Sequence, residues 1–345
     1  MDARRAARIA FVGAGNHATQ SLYPNISHIP EFDLVAVCDL VAEKAEYAAR
    51  KFGASQWFTD LGTMLAEVQP EGVCICGPPA MHHEVGLQVL AHGVPIFIEK
   101  PPGTTAQQAG ELAASAQEHG VWGMVGFMKR FAPANLVAKD FMATEGFRPL
   151  TSLSMIHGCG PYNDIRQMLL FNGIHMLDLA RFLGGEVAEV FAHGFAASDQ
   201  VQAASVAMRF ADGPPGQLNM NSGHSWSDCF EQTYLAGAGA ALLIDASKAV
   251  EVMSESRRFA DPEGQRLFGW SSRYYVSGNM AGWWAGGHYT RGYWGELDHF
   301  AKAVLGQVAP AATLEDGLRA VTLIEATMDS IGSGQPVRLS DRAAR

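Results

Sequence analysis

Residues 11–18 read FVGAGNHA at the end of an apolar run, and Asp39 closes the next apolar run, 24 positions after Gly15. These residue types in this order suit the grip on a dinucleotide. Gly13 permits a tight turn, Gly15 lets the main chain approach a pyrophosphate, and Ala18 is the third small residue, where the following helix packs on its strand. The N-terminus of that helix offers unpaired N–H groups to phosphates, which brings Asn16 and His17 into the cofactor-binding stretch. The Asp39 carboxylate can accept both hydroxyls of an adenosine ribose. It repels a 2′-phosphate, and Leu40 beside it brings no positive charge, so NAD is favoured over NADP. Arg50 and Lys44 could still fold back toward a phosphate.

A second reactive group stands in IFIEKPPG, residues 96–103. Three apolar residues lead to Glu99 and Lys100, and two prolines follow that cannot donate to a sheet ladder, so the strand stops with the lysine at its tip. In isolation this describes a surface turn equally well. In a doubly wound parallel sheet, however, strand tips face the cofactor crevice. A lysine amine held there, out of water and beside a cationic nicotinamide, can hydrogen-bond a hydroxyl and shuttle its proton.

The positioning elements are legible around these residues. RIAFVG, LVAVCD, GVCICG, PIFIE and WGMVGF are continuous apolar runs, as parallel strands covered on both faces require. Between them, VAEKAEYAARKFG has helical spacing and ends at Gly53, and TAQQAGELAASAQEHG opens with Thr105-x-x-Gln108 and closes at Gly120. Alternating strand and helix predicts an α/β Rossmann domain, a doubly wound parallel sheet, over residues 1–125. From 126 to 345 the rhythm changes to strands separated by Gly, Pro and Asp turns, which favours an antiparallel sheet. The last helices are placed to pack back on the N-terminal domain.

The chain has 345 residues, 48% hydrophobic and 17% charged, with a net charge of −10, enough for two domains with real cores. A negative balance without a basic run argues against nucleic acid and anionic membranes as partners. The five cysteines (Cys38, Cys74, Cys76, Cys159, Cys229) lack metal or redox spacing and are expected as reduced core residues, suiting a cytoplasmic protein. No signal-peptide-like start or bilayer-length apolar run is present. No histidine arrangement suggests a metal site, and there is no GxSxG or P-loop.

VGAGNHA, PPAMHHEV, IEKPPG, GFMKRFAP and GIHMLDLARFLGG resemble, in order and spacing, the glucose–fructose oxidoreductase / inositol dehydrogenase / MocA family. The closing GELDHFAKAVLGQ segment is similar as well, so the resemblance covers nearly the whole chain. It implies a C-terminal α+β domain with a large, mostly antiparallel open-faced sheet. Substrate is expected on one face and a subunit partner on the other, as in a homodimer or homotetramer. Lys100 falls on the family's EKP lysine and Glu99 on the acid before it. His82 falls on the histidine after the Pro78-Pro79 turn. His175, which without the resemblance would be a capping or core histidine, falls on the catalytic or substrate-binding histidine of a GxHxxD helix, with Asp178 as its acid. Many members carry an aspartate four residues before that histidine; here Phe171 stands there, with Asn172 next to it. Either another acid such as Asp164 substitutes, or Lys100 carries most of the proton work, or the chemistry differs.

Arg130 follows the sixth strand and could meet substrate or form a surface salt bridge. Trp283, Trp284, Tyr289, Tyr293 and Trp294 lie among glycines near His288 and Arg291, a pattern that fits an aromatic loop over a sugar site or an oligomer contact. The expected function is hydride transfer between NAD and a secondary alcohol or ketone of a sugar, polyol or glycoside. Lys100 and His175 would be catalytic, and Arg130, Asn172, His175, Trp284 and His288 would touch substrate. Two rivals are an NAD-dependent glycoside hydrolase using transient oxidation and elimination, and a catalytically silent dinucleotide- or sugar-sensing regulator.

Overall fold

The computed structural model describes residues 5–226, 229–254, 259–260, 266–267, 270–275 and 287–340. It divides into two compact units, one running through Met128 and taking in Gly292–Val321, the other comprising Lys129–Arg291 and the chain from Thr322 onward.

The first unit is a six-stranded, all-parallel sheet in the order β3-β2-β1-β4-β5-β6. Its strands are β1 (Ala7–Val12), β2 (Phe32–Cys38), β3 (Gln56–Phe58), β4 (Gly72–Ile75), β5 (Ile96–Ile98) and β6 (Gly123–Val125). Helices α1 (Tyr23–Ile26), α2 (Ala42–Phe52), α3 (Leu61–Val68), α4 (Pro79–Ala91) and α5 (Ala106–Glu118) alternate with them. Every residue of β4, β5 and β6 is buried, as continuous apolar strands covered on both faces must be. Local chemistry sets the helix ends. Gly53 caps α2 at φ 87° and donates its N–H to Ala49. Thr105 accepts the Gln108 N–H at 3.2 Å, while the Gln108 amide oxygen reaches back to the Thr104 N–H at 2.8 Å. The helix after the glycine turn departs from regular geometry: Ala18–Leu22 form a π-helical turn before α1. Pro24 lacks an N–H and crowds the preceding turn, which accounts for a widened ladder there.

The second unit is built on a nine-stranded sheet in the order β16-β13-β12-β11-β7-β10-β9-β8-β17. The strands in chain order are β7 (Leu150–Gly158), β8 (Val187–Ala196), β9 (Gln202–Phe210), β10 (Pro215–Asn221), β11 (Phe230–Gly237), β12 (Ala240–Asp245) and β13 (Ala249–Ser254). A small hairpin of β14 (Phe259–Ala260) and β15 (Arg266–Leu267) precedes β16 (Trp270–Tyr275), and β17 (Val337–Arg338) closes the sheet. Only β7 and β10 pair in parallel among these neighbours. Burial alternates along β9, with Ala204, Val206, Met208 and Phe210 inward. Helices α6 (Pro133–Met142), α7 (Ile165–Met168), α8 (Ile174–Gly184) and α9 (Gly287–Thr290) complete this unit, and α8 packs on β7 and β10.

Two later helices bear on the first unit, α10 (Tyr293–Val304) and the start of α11 (Leu314–Ser333). Phe300 of α10 packs 5.9 Å from Phe97 and 5.7 Å from Trp122, centroid to centroid, and Thr313 bridges to Met124 at the β6 edge.

Some expectations need correction. Cys38, Cys74, Cys76 and Cys159 are buried free thiols, but Cys229 is exposed because it precedes β11 in the connection from β10. The helix carrying His175 begins at Ile174, since Leu169–Gly173 form a π-helical turn before it. Tyr293 and Trp294 belong to α10 instead of a loop: Gly292, at φ 97°, starts the helix, and the Trp294 indole N–H donates to the His28 carbonyl at 3.1 Å. Trp283 and Trp284 lie outside the described residues. No described helix is long and apolar enough to cross a membrane.

Candidate active site

In the first unit the tips of β1, β2, β4 and β5 carry the predicted cofactor residues. Gly13 has φ 102°, and a Cβ there would stand 1.9 Å from the Cys76 carbonyl oxygen, so both its conformation and its neighbour demand glycine. Tyr23 supports the turn from beneath by donating to the Gly13 carbonyl at 3.1 Å. A Cβ on Gly15 would meet nothing within 4 Å, which leaves open space against the main chain for a phosphate. Asn16 and His17 are exposed beside it and Ala18 is buried.

Asp39 accepts the Ala14 N–H at 2.8 Å through one carboxylate oxygen and the Val41 N–H at 2.9 Å through the other. Each oxygen keeps a lone pair for a ribose hydroxyl. Leu40 is 92% exposed next to it, an apolar surface that an adenine would cover. The glycine cradle, the open face at Gly15 and the placed carboxylate fit a dinucleotide.

Pro78 is exposed just before α4, whereas His82 is 1% exposed and ties two loops together. Its Nε2 accepts the Gly77 N–H at 3.1 Å, so its Nδ1 carries the proton and donates to the Pro101 carbonyl at 2.8 Å. Burial lowers the pKa of this imidazole and keeps it neutral. Lys100, half-buried at the tip of β5, precedes that anchored carbonyl and is joined to Pro101 by a cis peptide bond.

Glu99 is 3% exposed, accepts the Lys100 N–H at 3.0 Å, and lies 3.3 Å from His17 Nε2. Burial alone would raise its carboxyl pKa; the His17 charge and hydrogen bond, with Lys100, bring it below the usual range. His17 and Glu99 thus join the glycine turn to the lysine tip. Burial pushes the Cys74 and Cys76 thiols well up, which makes them inert packing groups.

The second unit holds the predicted substrate residues. Arg130 forks onto Asp178, with Nε 2.8 Å from Oδ2 and Nη2 2.6 Å from Oδ1. Asp178 is 1% exposed, so this is a buried bidentate pair and not a surface one. His175, in the first turn of α8, is buried, and His288 in α9 is half-buried. Asp164 caps α7, accepting the Gln167 N–H at 2.6 Å from an exposed position.

One cluster escaped the sequence reading. On β7, Leu153, Met155 and His157 share the inward face, and His157 stands directly opposite Glu231 of β11. Lys129 pairs with Glu231, and His157 Nδ1 lies 3.5 Å from the same carboxylate. His157 Nε2 stands 3.0 Å from Asn172 Oδ1, and the Asn172 amide nitrogen donates to Cys159 Sγ. Burial would raise the Glu231 pKa, but Lys129 and His157 hold it far below the usual range. An apolar strand face ending in histidine was the available signal. Among the described residues no group of three or more His, Cys, Asp or Glu side chains is placed to hold a metal ion.

The family model described as the oxidoreductase family, NAD-binding Rossmann fold, matches residues 7–127, and that of its C-terminal alpha/beta domain matches residues 168–339. The D-glucoside 3-dehydrogenase of Escherichia coli K12 is 32% identical over 209 residues, 54% of this chain and 57% of that protein. The scyllo-inositol 2-dehydrogenase (NAD(+)) of Bacillus subtilis 168 is 29% identical over 194 residues, again 54% and 57%. The match therefore spans little more than half the length of each of these two relatives. A dehydrogenase from Chromobacterium violaceum shares the fold, with a TM-score of 0.86 at 21% identity over 96% of both chains. With the models of both its domains matched in order along the chain, the protein belongs to the Gfo/Idh/MocA oxidoreductase family, and NAD is its cofactor.

Proposed function

We propose that the protein is a dehydrogenase that oxidises a secondary alcohol of a sugar, polyol or glycoside, or reduces the corresponding ketone. The observation that carries this reading is the His17–Glu99 contact at 3.3 Å, which sets the lysine-bearing tip of β5 beside the glycine turn. Bound NAD supplies the hydride acceptor. Gly13, Gly15 and the N–H groups after them hold its phosphates, and Asp39 holds the adenosine ribose. Lys100 receives the hydroxyl proton of the substrate at Nζ, and His175 orients that hydroxyl. Phe171 stands where many family members carry an acid, and the adjacent Asn172, held by His157 and Cys159, offers only an amide, so the proton work falls mainly to Lys100. Arg130 supports the substrate side through Asp178, and His288 contributes a contact to the ligand.

The exposed side chains Ile156, Phe195, Phe230 and Tyr234 on the uncovered sheet face support association as a homodimer or homotetramer, and light scattering of the purified protein tests it. A cytoplasmic location fits the reduced thiols. The activity is tested by incubating the protein with NAD and a panel of polyols, sugars and glycosides while following NADH absorbance. Growth of that absorbance with one substrate class supports the reading. Product formation without net NADH would favour the oxidation–elimination rival instead.

A further inference from the structure

Glu296 stands four residues into α10 and is 0% exposed, and among the described residues neither of its carboxyl oxygens meets a hydrogen-bond partner. A leucine would fill such a place without taking a carboxyl out of water, so an acid here works against its own solvation. Costs of this kind concentrate where a group has a task beyond packing.

The charges that act on Glu296 are Glu99 and Lys100 at the tip of β5, and the buried, uncharged thiols of Cys74 and Cys76 at the end of β4 are also near it. Glu99 in turn meets His17 at the glycine turn and feels His82 of α4. From its own helix, Tyr293 sets its ring 5.9 Å from that of His17. Burial and the Glu99 charge both push the Glu296 pKa well up, with Lys100 pulling weakly the other way. Glu99, held by His17 and Lys100, is driven down. Two carboxyls that act on each other are thus set apart, one keeping its proton and the other giving it up.

We propose that Glu296 is a positioning residue for Lys100, storing one proton beside the Glu99 carboxylate so that its own carboxyl adds no further negative charge near the amine. With both acids ionised, the pair would hold Lys100 as an ammonium group that cannot take a substrate proton. With the proton on Glu296, the amine can exchange with the hydroxyl. Glu296 neither gains nor loses its proton in the step: the hydroxyl proton ends on Lys100 Nζ. The inference rests on the reading of Lys100 as the proton-carrying group.

The test uses the full chain with NAD and glutamate labelled with ¹³C at the side-chain carboxyl. One carboxyl resonance should titrate well above the others and vanish in E296Q. It should move to lower pH in E99Q and to higher pH in K100M. In turnover, the alkaline fall of kcat in the wild type should disappear in E296Q. One pH unit above the wild-type midpoint, E296Q should then retain about tenfold more of its own plateau rate than the wild type does. A Glu296 carboxyl that titrates with the exposed glutamates, or an alkaline limb identical in E296Q, overturns the proposal. If E296Q does not fold, the wild-type and K100M titrations decide it. If no compound in the panel is turned over, the dehydrogenase reading fails, while the carboxyl titration still decides whether Glu296 keeps its proton.

Discussion

The His82 imidazole donates to the Pro101 carbonyl at 2.8 Å, so a helix residue fixes the peptide that follows Lys100. Replacing it with alanine strands both that carbonyl and the Gly77 N–H. H82A should lose about 1–3 kcal/mol of stability by urea unfolding. It should also lower kcat more than it weakens NAD binding, because it is the lysine tip that loosens.

The same residue predicts a pH dependence. Burial lowers the folded-state pKa of His82, so its contribution to stability is present above the unfolded histidine pKa and is lost as pH falls below it. Between about pH 6.5 and 5 the wild type should lose stability more steeply than H82Q, which carries no titrating ring. Equal slopes in denaturation at the two pH values would count against this account.

Asp39 holds the Ala14 and Val41 N–H groups, and it is the residue proposed to hold the adenosine ribose. D39A should weaken NAD by about tenfold or more and narrow its advantage over NADP, since the carboxylate that repels a 2′-phosphate is gone. Calorimetric titration with both dinucleotides measures it.

Lys100→Met should keep NAD affinity close to wild type while turnover on the reacting substrate falls about 10²–10⁴-fold, the range expected for a lost proton-transfer group. NAD titration followed by a progress curve separates the two effects. Near-wild-type turnover would remove Lys100 from the chemistry.

The Lys129–Glu231 pair sits among buried groups, and removing one partner leaves the other charge uncompensated. K129M should cost about 3–5 kcal/mol. Because Glu231 is held far below its unfolded pKa, its contribution is present above about pH 4.5 and fades as the solution is acidified. The acid-unfolding midpoint of K129M should accordingly move to higher pH than that of the wild type.

Local rules carried much of this architecture. Gly13, Gly53 and the Thr105–Gln108 cap are where a turn, a helix end and a helix start require those residue types, and the apolar runs named five of the six parallel strands; the short, mostly exposed β3 (Gln56–Phe58) carries no such run. What stayed hidden depends on partners far apart in the chain. Lys129 and Glu231 are separated by 102 positions, and no periodicity announces that they meet. The two π-helical turns were invisible for a related reason, since apolar spacing tolerates one extra residue per turn. Tyr293 and Trp294 looked like loop aromatics because their glycine neighbours mask the helix that Gly292 begins.

The nucleotide-binding unit is discontinuous in sequence: α10 and the start of α11 belong with strands made before residue 128. On the ribosome the parallel sheet emerges first, but Phe300 and Thr313, which cover Phe97 and flank β6, arrive only after the whole second unit has been translated. The cofactor half of the molecule is therefore the first begun and among the last finished. A premature stop ahead of α10 would leave the sheet without the helix that seals it, however complete its six strands.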